Sequence, residues 1–96
     1  MEGGLTAVLD VGKTLTKLSL WDSSGTVIAR ESRPNTRPDA GAFAALDAAG
    51  VEAWAAEVLR DFASRGPVAA IVPVGHGAGL AVLRDGRLAC PSPDYE

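Results

Sequence analysis

Hydrophobic and polar positions change rhythm several times along the chain. Residues 5–11 (Leu-Thr-Ala-Val-Leu-Asp-Val) are apolar at almost every position, the pattern of a central strand covered on both faces. Gly12 closes that run. Residues 14–21 then alternate, with Thr16, Leu18 and Leu20 on one side and Lys17, Ser19 and Trp21 on the other. Asp22-Ser23-Ser24-Gly25 is a turn signal, after which residues 26–31 resume a strand. Three strands joined by tight connections predict an antiparallel meander over 5–31.

Residues 32–50 carry Pro34, Pro38, Gly41 and Gly50 and read as a long loop, with a helical turn inside it over 43–49. The periodicity then becomes helical. Val51, Trp54, Ala55, Val58, Leu59 and Phe62 form one apolar stripe over a helix spanning 51–65, which makes Trp54 and Phe62 core residues. Glu52 and Glu57 lie toward its start and Arg60 and Arg65 toward its end, as the helix dipole prefers, and Gly66-Pro67 stops it.

Residues 68–74 return to an apolar strand. No charged residue occurs between Arg65 and Arg84, but Pro73, His76 and several glycines interrupt that stretch. A bilayer helix needs about 20 predominantly apolar residues, so the segment reads as a buried strand and a turn. Residues 80–83 and 87–90 flank Asp85-Gly86 as a small hairpin, and 91–96 form no element. The order is β-β-β-α-β plus a hairpin, an α/β pattern whose helix is a crossover to a strand parallel to the first.

Composition narrows the class. The 96 residues suit one small domain, and 47% hydrophobic with 22% charged residues excludes a disordered chain. A net charge of −3 leaves no basic footprint for nucleic acid or a membrane surface. The single Cys90 excludes a disulfide framework or a multi-cysteine zinc site, and reads as a small buried apolar residue in a reducing, cytoplasmic setting. Residues 1–5 lack the basic start of a secretory leader.

Candidate chemistry gathers at Asp10-Val11-Gly12-Lys13-Thr14-Leu15-Thr16-Lys17. A carboxylate ends a strand, a glycine stands at the tip, and hydroxyls and lysines enter the next strand. Two readings are open. Backbone N–H groups around Gly12, with the hydroxyl of Thr14 or Thr16, can wrap a phosphate, and Asp10 beside it suits Mg²⁺ held through water. The same residues also make a polar turn with a solvated lysine. Gly12-Lys13-Thr14 is not a Walker A loop: that motif needs a glycine where Ala7 stands, and a helix where a strand follows. Gly75-His76-Gly77-Ala78-Gly79 lacks the G-x-G-x-x-G spacing of a dinucleotide fingerprint. His76, the only histidine, is either a structural or solvated residue or a hydrogen-bonding contact to a substrate hydroxyl. The six serines lie in no nucleophile-elbow pattern.

The Asp10-x-Gly12-x-Thr14-x-x-Lys17 hairpin, the helix with Trp54, and a strand running into His76-Gly77-Ala78 together resemble the N-terminal end of FGGY-family carbohydrate kinases. The resemblance runs from Leu5 to about Pro91. It implies the start of an RNase-H-like, actin-like ATPase fold, a mixed sheet of order 3-2-1-4, with residues 1–96 the N-terminal part of the first of two lobes. It implies ATP and Mg²⁺ as cofactors and a small sugar or polyol as phosphoryl acceptor. Asp10, Gly12, Lys13, Thr14, Thr16 and Lys17 would line the ATP phosphates, with Asp10 near Mg²⁺. Lys13 stands where the family often has Thr or Gln. His76 and Gly77 would line the sugar pocket, joined by Asp94 in place of the family's Trp-Asn-Asp-x-Arg-like stretch.

The family's catalytic base lies downstream of these residues, so the resemblance implies a fragment inactive on its own and prone to self-association. Two other readings stand beside it: a lobe of an actin- or chaperone-like ATPase, and a stand-alone α/β binding module.

Overall fold

The structure is a computed structural model, and it describes residues 4–36, 45–75, 77 and 83–90. Strands β1 (Leu5–Val11), β2 (Leu15–Trp21) and β3 (Val27–Pro34) form the meander, followed by helix α1 (Ala48–Ala63) and strand β4 (Val68–Gly75). A two-stranded hairpin, β5 (Leu83–Arg84) and β6 (Arg87–Leu88), completes the described elements. The four-stranded sheet has the order β3-β2-β1-β4, with β1–β2 and β2–β3 antiparallel and β1–β4 parallel. The expected order and the parallel crossover are both observed.

Strand alternation decides which side chains meet the helix. Ala7 pairs with Leu20, Leu9 with Leu18, and Val11 with Thr16, so these residues share one face. On that face Ala7, Leu18 and Leu20 pack with Ala55, Val58 and Phe62 of α1 into the core, and Leu5, Leu9, Trp54 and Leu59 border it. Phe62 is fully buried, and Trp54 is half-buried at the core's edge.

Several features differ from the sequence-based expectation, among them the second hairpin strand, which ends at Leu88 rather than Cys90. The helix begins at Ala48 rather than Val51 because Asp47 caps it by accepting the Gly50 N–H at 3.1 Å. It ends at Ala63 rather than Arg65, where the Ser64 and Arg65 N–H groups donate to the Asp61 and Phe62 carbonyls in a tightened last turn. β3 extends through Ser32 and Arg33 to Pro34, since its pairing with β2 continues as far as Leu15. The apolar β1 and β4 are not covered on both faces: in β1 only Ala7 is buried, and β4 is an edge strand exposed along most of its length. Cys90 is half-buried and free.

The Asp85-Gly86 turn does behave as expected. Both residues have positive φ (53° and 77°), as a two-residue type I′ hairpin requires. The anticipated helical turn over 43–49 lies partly outside the described residues, and its described part before Ala48 is not helical.

Candidate functional site

β1 and β4 run parallel and finish together, with Asp10 beside Val74 and Val11 beside Gly75. The β1–β2 turn and the glycine segment after β4 therefore emerge at the same end of the sheet, the carboxyl ends of adjacent parallel strands. Open α/β sheets bind ligands in that place. Among the predicted site residues on the glycine segment, Gly77 is exposed with φ 83°, while His76 and Asp94 lie outside the described residues.

The turn is built tightly. The Gly12 N–H donates to the Leu15 carbonyl at 2.9 Å. A Cβ at Gly12 would sit 2.9 Å from that same oxygen, so only glycine closes the turn without displacing backbone. Lys13 and Thr14 at the tip are exposed, and Gly12 is half-buried.

Asp10 and Lys17 face each other across β1 and β2 on the face away from α1. They line a shallow depression on that face with Val8, Ser19, Trp21 and Arg30. Trp21 is pinned there by donating its indole N–H to the Ser19 hydroxyl at 2.8 Å. The ion pairs among the described residues are Arg33–Asp47 and Arg65–Asp61, so Asp10, Lys13 and Lys17 keep their charges uncommitted. Three free charged groups around a glycine turn suit a polyanionic ligand bound with a cation. Among the described residues no group of three His, Cys, Asp or Glu side chains could hold a metal. The lone Asp10 carboxylate instead fits Mg²⁺, an ion that keeps several waters and takes one or two carboxylates plus substrate phosphates.

Thr16 departs from its expected place at the phosphates. Strand alternation turns it to the α1 face, where it is fully buried and its hydroxyl donates to Asn35 Oδ1 at 2.5 Å. Asn35 went unnoticed in the sequence, as did the link from β3 to the helix. That link is Arg33 donating to the Asp47 carboxylate at 3.2 Å, with the Thr36 hydroxyl donating to the same oxygen at 3.3 Å. The Gly50 N–H, and then the Arg33 guanidinium, hold the Asp47 carboxyl below the usual carboxylate range. Asp47 as N-cap was missed in the sequence, where Gly50 in the first turn masked the start of the helix. For Asn35, beside Pro34, no local pattern signals the role.

The fold matches part of a sugar-kinase lobe. Over 99% of its length the chain superposes on a carbohydrate kinase from Novosphingobium aromaticivorans with TM-score 0.89 and 47% identity, covering 20% of that kinase. A xylulose kinase from Lactobacillus acidophilus matches 92% of the chain (TM-score 0.73, 23% identity, 19% of that protein). A gluconate kinase from the same organism matches 94% (0.74, 24%, 20%), and these two likenesses speak to the fold. The chain is similar to carbohydrate kinases and spans about one fifth of the length of the kinases it matches. No family model and no curated protein matches it.

Proposed function

We propose that residues 1–96 are the N-terminal part of the first lobe of an ATP-dependent FGGY-type carbohydrate kinase. In the whole protein, the hydroxyl of a small sugar or polyol would attack the γ-phosphorus of ATP. The observation that carries this reading is the parallel pairing that sets the Asp10–Gly12 strand end beside Gly75, with Asp10, Lys13 and Lys17 all free of ion pairs. The 47% identity to a carbohydrate kinase over 99% of the chain supports it.

Phosphoryl transfer depends on positioning and on neutralising charge, with little covalent work for the protein. On this reading Lys13 and Lys17 draw in the phosphate tail, and the backbone N–H groups of Lys13 and Thr14 donate to its oxygens. Asp10 would hold Mg²⁺, which when bound would supply neutralisation of the charge that develops on the phosphate oxygens. We assign His76, Gly77 and Asp94 to recognition of the sugar hydroxyls. The base that removes the sugar's proton belongs to the remainder of the kinase, so the 96-residue chain turns over no substrate alone.

Among the described residues no helix is long and apolar enough to cross a membrane, and we place the kinase in the cytoplasm. The test is ATP consumption by the intact kinase over a panel of ketoses, aldoses and polyols. Consumption with one acceptor class is expected, and none with any acceptor would overturn the reading.

A further inference from the structure

We infer that Asn35 is the positioning residue that sets the conformation of the 12–14 turn and, through it, the affinity for nucleotide phosphates. This rests on the reading of that turn as a phosphate site. Asn35 follows β3 directly and reaches the turn from 23 residues away in sequence. Its backbone N–H donates to the Thr14 carbonyl at 2.8 Å, and its side-chain Nδ2 donates to the Gly12 carbonyl at 2.7 Å. Its Oδ1 accepts from the buried Thr16 hydroxyl at 2.5 Å.

The geometry bears on anion binding because a carbonyl facing a phosphate repels it, whereas an amide N–H attracts it. Asn35 engages the carbonyls of Gly12 and Thr14, holding two of the turn's three backbone acceptors toward the end of β3. Thr16 completes the arrangement by fixing the orientation of the Asn35 amide, since a fully buried hydroxyl needs an acceptor. The carboxamide is suited to the place: it donates to a carbonyl and accepts from a hydroxyl in one planar group. An aspartate keeps only the acceptor, and an alanine keeps neither. Asn35 thus acts on the ligand through the turn.

The experiment uses the intact kinase with Asn35→Ala, Asn35→Asp, Thr16→Val and Thr16→Ser. Asp10→Ala serves as the site control and Phe62→Ala as the general destabiliser. Two readouts are taken: hydrogen exchange of the amides of residues 10–17, and the Kd of a non-hydrolysable MgATP analogue. Loss of one or two neutral hydrogen bonds corresponds to roughly a 10-fold change. Asn35→Ala is therefore expected to speed exchange at the turn and weaken the analogue about 10-fold. Asn35→Asp and Thr16→Val should change both in the same direction, and Thr16→Ser should restore both. Phe62→Ala should lower the melting temperature without changing the Kd.

Unchanged exchange in Asn35→Ala, or in Asn35→Asp if the alanine variant does not fold, overturns the inference. Faster exchange with an unchanged Kd, while Asp10→Ala weakens binding, overturns the positioning role and leaves the phosphate site standing. An unchanged Kd in Asp10→Ala as well removes the phosphate site, and the inference with it.

Discussion

Two aspartates organise the chain's local geometry, and both are held ionised by their partners. Asp22 accepts the Ser24 hydroxyl at 2.7 Å and the N–H groups of Ser24 and Thr26, tying the β2–β3 turn together. The Ser24 hydroxyl and then the Thr26 amide keep its carboxyl below the usual range, as the Gly50 amide and Arg33 do for Asp47. A carboxylate with a depressed folded-state pKa contributes stability that is present above its unfolded value, about 3.9. That contribution is lost as pH falls through the lower folded-state value. The chain should therefore lose melting temperature as pH drops from 5 to 3, and Asp22→Asn with Asp47→Asn should flatten that slope. Thermal melts by circular dichroism at half-unit pH steps check it, and an unchanged slope in the double variant refutes it. Asp10 has a different role, on the open face and without an ion pair. In the intact kinase Asp10→Ala should weaken MgATP-analogue binding at least about 10-fold, as loss of a charged partner worth 1.5–3 kcal/mol implies. Calorimetric titration measures this.

The packing of α1 against the meander builds the core on one face of the sheet. Phe62 is fully buried between the helix and β2 residues Leu18 and Leu20. Phe62→Ala should cost about 3–5 kcal/mol of unfolding free energy, the range for removing a buried aromatic ring. Urea denaturation of the intact kinase, followed by fluorescence of the half-buried Trp54, would show a lower midpoint, and no change would mean that the ring is not in the core. The helix was legible over most of its length because its apolar residues recur at helical spacing. Its start was not, because a cap is a hydrogen bond between Asp47 and Gly50, and the glycine between two alanine-rich stretches gives no periodic signal. β3 outran its predicted end for a related reason. Glu31, Ser32 and Arg33 are polar, and they stay in a strand because β2 pairs with them through Leu18, Lys17 and Thr16.

Among the described residues, one edge of the sheet has no neighbouring strand beyond β4. β4 is the edge strand, and Ile71, Val72 and Val74 are 52%, 45% and 46% exposed. An unpaired apolar edge is a template for another strand. The isolated 96-residue chain is expected to self-associate through β4, and Val72→Lys should return it toward monomer. Sedimentation velocity across a concentration series would decide this, and a concentration-independent monomer would refute it. The same exposure corrects the expectation of a buried β4. An apolar run marks a strand suited to burial, and which surfaces cover it depends on what packs there.

Residue order alone was sufficient for most of the elements and for the parallel crossover, because these follow from local periodicity, turn residues and the geometry of a β-α-β connection, whereas the strand order came from the resemblance to the carbohydrate kinases. It was also sufficient to single out Asp10, Gly12, Lys13 and Thr14, since a carboxylate, a tight glycine turn and free polar groups sit within five consecutive positions. The rest depended on contacts between residues distant in the chain. Pairing with β1 and β3 turned Thr16 inward, Asn35 reached Gly12 across 23 positions, and Arg33 met Asp47 across 14. Such contacts have no local periodicity, because they exist only after the meander, the helix and the returning strand have packed.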